Sequence, residues 1–90
     1  MPKIIASAIK VCPKDSEYPL IVCGKRHCNC FEIIWNSKIE YDKSTCEQGF
    51  LTNQNQFVDR REAMHIAWDY GQIDDKIYQP GKELFSEDLW

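Results

Sequence analysis

Apolar and polar positions change period several times along the chain. From Ile4 to Val11 the run IIASAIKV is rich in β-branched residues and mildly alternating, and the turn-rich PKDSEYP separates it from a second apolar run, LIVCG. That pattern predicts a β-hairpin. Gly24 breaks the second strand, and from about Lys25 to Ser37 the residues Cys28, Phe31, Ile34 and Trp35 recur at helical spacing. KIEYDKSTC then reads as a polar connection with room for a short strand at Ile39 to Tyr41. QGFLT and QFV flank the turn-like NQNQ and predict a second, shorter hairpin.

Asp59 offers a side-chain oxygen to cap a second helix, and Glu62 three residues later completes an acidic variant of the capping box. Ala63, Ile66, Ala67 and Tyr70 form its expected apolar stripe, with Met64 and Trp68 on adjoining faces and Gly71 as its stop. Beyond it, QIDDKIYQPGKELFSEDLW has one clear turn at Pro80-Gly81 and no long periodicity. Its apolar residues Ile73, Ile77, Tyr78, Leu84, Phe85, Leu89 and Trp90 are too many for a free tail. The expectation is therefore a single domain over residues 1–90, with 72–90 an extended tail packed on the body or on a partner subunit. The fold class is small α+β, an antiparallel sheet built from two hairpins with two main helices packed on it. No residue-level repeat links the two halves.

A length of 90 residues, 43% hydrophobic and 28% charged, suits one ordinary globular unit. So short a chain often draws extra stability from disulfides, a metal or self-association. Nothing approaches the roughly 18 apolar residues of a membrane span, and the N-terminus lacks the apolar core of a signal peptide. A cytosolic protein with no membrane partner is expected. The net charge of −3 argues against binding duplex nucleic acid, which needs a large excess of Lys and Arg. The charge is unevenly spread: from Asp69 onward there are six acids and two lysines, against eight acids and nine bases before it.

Five cysteines, Cys12, Cys23, Cys28, Cys30 and Cys46, are an odd number without a secretion signal, so reduced thiols are expected. His27, Cys28 and Cys30 crowd together, but on a helix Cys28 and Cys30 point to different faces and cannot easily share one tetrahedral ion. No metal and no cofactor are expected. Nor is an active site: there is no Gly-rich phosphate loop, no Ser-His-Asp order and no two-histidine metal motif. His65, inside the second helix, reads as a half-exposed or satisfied histidine, and the acid pairs Asp74-Asp75 and Glu87-Asp88 as solvated charge.

All three arginines, Arg26, Arg60 and Arg61, fall at the predicted first turns of the two helices. The helix dipole favours acids there and mildly repels cations, so something negative is expected to compensate. Free N–H groups at a helix start together with an arginine fork suit phosphate. His27 adds a donor, and Phe50, Phe57 and Tyr41 are candidates for stacking on a base. The plain alternative is that these arginines are solvated or pair with Glu47, Asp59 or Glu62.

The strings IIASAIK, GKRH, EQGFLT, FVDRREA, Ile66-Ala67, Gly71-Gln72 and LFSEDLW resemble the pattern of a family of small bacteriophage and prophage proteins. The likeness touches nearly the whole chain up to Trp90, from which a complete protein is expected. Within that group the first strand, the Gly-x-Arg-His step and the Phe-Val-x-Arg-x-Glu-Ala helix start are similar to the anti-Thoeris sponge proteins. That resemblance implies sequestration without turnover of a cyclic nucleotide immune signal, either a cyclic ADP-ribose isomer or a cyclic oligonucleotide of the CBASS type, in the host bacterial cytoplasm. It also implies a homo-oligomer, a dimer or trimer of dimers, with pockets at subunit contacts. Arg26, His27, Phe57 and Arg60 carry over as ligand contacts. Arg61 and Phe50 complete the candidate set from their positions. Two other classes remain: an enzyme that degrades the same signal, and an inhibitor that binds a host defence protein through Leu84, Phe85, Leu89 and Trp90.

Overall fold

A computed structural model describes residues 2–90. Strands β1 (Ile4–Val11), β2 (Leu20–Gly24), β3 (Glu47–Thr52) and β4 (Phe57–Asp59) form one antiparallel sheet in the order β2-β1-β3-β4. Helix α1 (His27–Ser37) follows β2, and helix α2 (Arg60–Tyr70) follows β4. Both hairpins and both helices match the α+β reading. Each half is thus a strand, a strand and a helix. Because the two central strands β1 and β3 run antiparallel, the halves are related by an approximate two-fold through the middle of the sheet.

Both helices cover one face of the sheet, over a core in two lobes. The α2 lobe gathers Ile4, Phe50, Val58, Ala63, Met64, Ala67, Ile73 and Leu84, and the α1 lobe gathers Ile9, Val11, Val22, Cys30 and Ile34. An irregular register between Ile4 and Ala6 explains how Ile4 and Ser7, an odd number of residues apart, both turn toward the helices. Gln72 carries the tail back to β1, where its amide accepts from Ile4 N at 2.9 Å and donates to Ile4 O at 2.8 Å. That side chain supplies the pairing a neighbouring strand would otherwise give.

Three expectations about local structure are corrected. Helix α1 starts at His27, not Lys25, because Ser7 Oγ donates to the Lys25 carbonyl at 3.0 Å and holds that peptide in the extended approach. Its buried residues are His27, Cys30 and Ile34, so Cys28, Phe31 and Trp35 face outward, Trp35 at 83% exposure. The polar bonds of His27 and Cys30 to the sheet set the rotation of the helix, and the larger aromatics are left outside. Residues 39–41 form no strand; Tyr41 makes one isolated bridge to Pro13, and a short 3-10 turn at Lys43–Thr45 follows, capped by Asp42.

Helix α2 is capped by Asp59 as its sequence predicts, Oδ1 accepting from Glu62 N at 2.8 Å, but the Glu62 side chain does not return the bond to complete a capping box; Gly71 ends the helix at φ 84°. Met64 replaces Tyr70 on the buried stripe. Tyr70 sits at the last turn, beyond the core, with the Lys3 ammonium 5.5 Å from its ring. Trp68 stacks on Tyr78 of the tail at 4.4 Å. Leu84 is fully buried, and Ile77, Tyr78, Leu89 and Trp90 pack against the α2 lobe.

Candidate functional site

The sheet brings the two helix starts together. β2 ends at Gly24 opposite Ser7, and β4 ends at Asp59 opposite Gly49, which lies across from Ala8. Both outer strands therefore release the chain over neighbouring rows of the sheet. His27 at the start of α1 lies against Phe50, ring centres 5.0 Å apart and edge-on, and Phe50 is a core partner of α2. The His27 Nε2 donates to the Gly49 carbonyl at 2.7 Å, which fixes the proton on that nitrogen because a carbonyl only accepts. Burial holds the His27 pKa below the usual histidine value; the Gly49 bond opposes this, the charge of Arg60 adds to it and that of Glu87 counters it.

Gly49 is required here by space. A Cβ at that position would lie 2.2 Å from the Val58 carbonyl oxygen and 2.6 Å from Phe57 Cζ. The tip of the Phe57 ring thus lies against the glycine on the face away from the helices, and the Lys10 ammonium sits 5.9 Å from the ring centre.

The C-terminal segment crosses the paired helix starts. Arg26, the N-cap of α1, donates from Nη2 to the main-chain oxygen of Trp90. Arg60 Nη1 meets Glu83 Oε2 at 2.8 Å, its guanidinium lies 5.4 Å from the centre of the Phe85 ring, and its carbonyl accepts from Leu84 N at 3.0 Å. The negative partner of Arg60 is thus Glu83 of the tail, not Glu47, Asp59 or Glu62, and Arg26 meets a main-chain oxygen of the same segment.

Two open hollows meet at Arg61. The first, of about 420 Å³, lies beside Arg60 and Arg61 among Glu47, Asp59 and Glu83, so acids outnumber bases there. The second, of about 710 Å³, is lined by Arg61, Lys76, Lys82, Phe85, Glu83 and Asp88, together with Met64, Ile77, Gln79 and Gly81. Its three cations face two acids, and Phe85 is 51% exposed beside it. Arg26, His27, Arg60 and Arg61 are therefore gathered around the helix starts and the tail. Phe50 is fully buried and offers no face to a base, and Phe57 lies on the far side of the sheet. Lys76, Lys82 and Phe85 line the second hollow without any motif in the sequence to mark them. Their only signal was the Pro80-Gly81 turn, which folds them back beside α2.

A third hollow, of about 510 Å³, lies on the outer side of α1 between Phe31, Trp35, Tyr41 and Cys46. Among the described residues no group of three or more His, Cys, Asp or Glu is placed to hold a metal ion, and no helix is long and apolar enough to cross a membrane.

Fold and site together define a one-sided α+β domain of two strand-strand-helix units, with a mixed but locally cationic hollow where a tail closes over both helix starts. The chain belongs to the phage T4 y16D protein family, whose model matches residues 3–90, and is thus a small phage protein. Comparisons with curated proteins and with solved structures give no match.

Proposed function

We propose that this protein is a counter-defence sponge, which captures a cyclic nucleotide signal of the host and holds it without turnover. The observation that carries the reading is the hollow of about 710 Å³ lined by Arg61, Lys76 and Lys82 together with the half-exposed Phe85. Its size falls within the range of small-molecule pockets, and cations beside an aromatic face match the two parts of a nucleotide, phosphate and base. Neither histidine lines it: His27 is bonded to Gly49, and His65 Nδ1 meets the Tyr78 hydroxyl at 3.0 Å.

In this reading the protein acts in the host cytoplasm as a homo-oligomer, a dimer or trimer of dimers. The exposed Phe31 and Trp35 of α1 are the apolar surface such contacts would use. Capture works by mass action, so affinity and copy number matter and rate does not.

Calorimetric titration with cyclic ADP-ribose isomers and cyclic di- and trinucleotides, followed by heating and identification of the released molecule, tests the proposal. Tight binding with intact ligand released supports the sponge. Chemically altered ligand would make the protein an enzyme, and no binding across the panel would return the question to inhibition of a host protein.

A further inference from the structure

Two of the three helix-start arginines, Arg60 beside the hollows and Arg26 at the start of α1, are held by the chain's own C-terminal segment, whereas Arg61 lines the larger hollow. Glu83 neutralises Arg60, Phe85 lies under the same guanidinium, and the Trp90 main-chain oxygen takes Arg26. The segment is built in two parts. Leu84 and Ser86 are buried and anchor it, whereas Glu83 and Phe85 between and beside them are exposed. Apart from a single 3-10 turn at Ser86–Asp88 and two short turns, its backbone is irregular, and its bond to α2 is the Leu84 N to Arg60 O contact at 3.0 Å. The Arg60–Glu83 pair is open to water on its acidic side, Glu83 at 47% exposure against 19% for Arg60, so a multiply charged ligand phosphate can compete with the single carboxylate for the guanidinium.

We infer that Glu83 and the Trp90 main-chain oxygen act as an autoinhibitory latch, standing in for phosphate on Arg60 and Arg26 until a phosphorylated ligand takes their places, while buried Leu84 and Ser86 keep the segment and Phe85 at the site. The inference rests on the nucleotide reading above. It gives the site a threshold: a ligand must carry enough phosphate to replace an internal anion, so single weakly charged metabolites do not load the protein. The energetic logic is that of a population shift, with the ligand favouring the open arrangement only by its differential affinity.

Amide hydrogen exchange of the full chain, with and without inorganic pyrophosphate, reads the latch directly through Leu84 and Trp90. Pyrophosphate is expected to speed exchange at the Trp90 amide and to leave that of anchored Leu84 unchanged. Glu83→Gln is expected to bind pyrophosphate at least about threefold more tightly than the wild type. Glu47→Gln removes the same charge from the neighbouring hollow without touching the tail, and its smaller gain measures what charge alone does. Protection of the Trp90 amide, or equal gains in the two variants, would overturn the latch. If pyrophosphate loosens Trp90 but no cyclic nucleotide binds, the latch stands and the nucleotide reading falls. If cyclic nucleotides bind with the Trp90 amide unchanged, the reading stands and the latch falls. If neither probe has an effect, both fall.

Discussion

Substituting Gly49 by alanine tests the link between sheet geometry and the helix starts. The added Cβ would sit 2.2 Å from the Val58 carbonyl oxygen, more than about 1 Å inside van der Waals contact. The Phe57 ring, 2.6 Å away, can swing aside, but the carbonyl is fixed by strand pairing, so β3 and β4 must part. Their ladder is only three residue pairs long, Gly49–Asp59, Phe50–Val58 and Leu51–Phe57, and has little to absorb the shift. Overpacking costs about 1–3 kcal/mol. Two ladder hydrogen bonds lost at about 1 kcal/mol each bring the total to about 3–5 kcal/mol. A domain of this size has on the order of 5–13 kcal/mol in all.

In urea, with a slope near 1–1.5 kcal/mol/M for so small a protein, the unfolding midpoint is expected to fall by about 2 M or more. Gly24→Ala serves as the internal control, since its Cβ would meet Asn29 Cβ at 3.1 Å and Cys30 N at 3.3 Å, gaps that small adjustments can open. It should cost less than about 1 kcal/mol. A midpoint shift for Gly49→Ala of under about 0.5 M, or one no larger than that of Gly24→Ala, would refute the reasoning.

Leu84→Ala, at a fully buried tail position, should cost about 2–5 kcal/mol and lower the melting temperature by roughly 10 °C or more; an unchanged melting curve would mean the tail is not part of the core. His27, whose folded pKa lies below the unfolded value near 6.5, binds more protons when unfolded. Stability is therefore full above about pH 6.5 and falls as the pH drops from 7 toward 5, a slope that His27→Gln should largely abolish in chemical denaturation at the two pH values. In the native protein a thiol reagent should modify exposed Cys12 and Cys28 quickly and leave Cys30 untouched, since burial pushes that thiol up to about 11; fast labelling of Cys30 before unfolding would contradict the α1 rotation. Arg61→Ala should weaken nucleotide binding about tenfold or more in calorimetry without changing the melting temperature, and unchanged affinity would remove Arg61 from the site.

Local chemistry was enough to read much of this protein from its residues. The β-branched runs with turn residues between them gave both hairpins, because strand pairing of neighbours needs only a short connection. Asp59, Glu62 and Gly71 gave the ends of α2, because caps satisfy backbone groups within a few residues. The three arginines could be placed at helix starts for the same reason.

Contacts between distant segments were decided only by the tertiary structure. Residues 28, 31 and 35 repeat at helical spacing as well as 27, 30 and 34 do, and the choice between these faces turned on the Gly49 carbonyl, more than twenty residues away, which takes the buried imidazole. Phe50 and Phe57 look alike in sequence, yet strand alternation puts one in the core and the other across the sheet. The tail has no period to announce its path. Where it lies, and that it brings Glu83 to Arg60 and Trp90 to Arg26, follows from a core that needed Ile73 and Leu84 to close it, a demand no local pattern states.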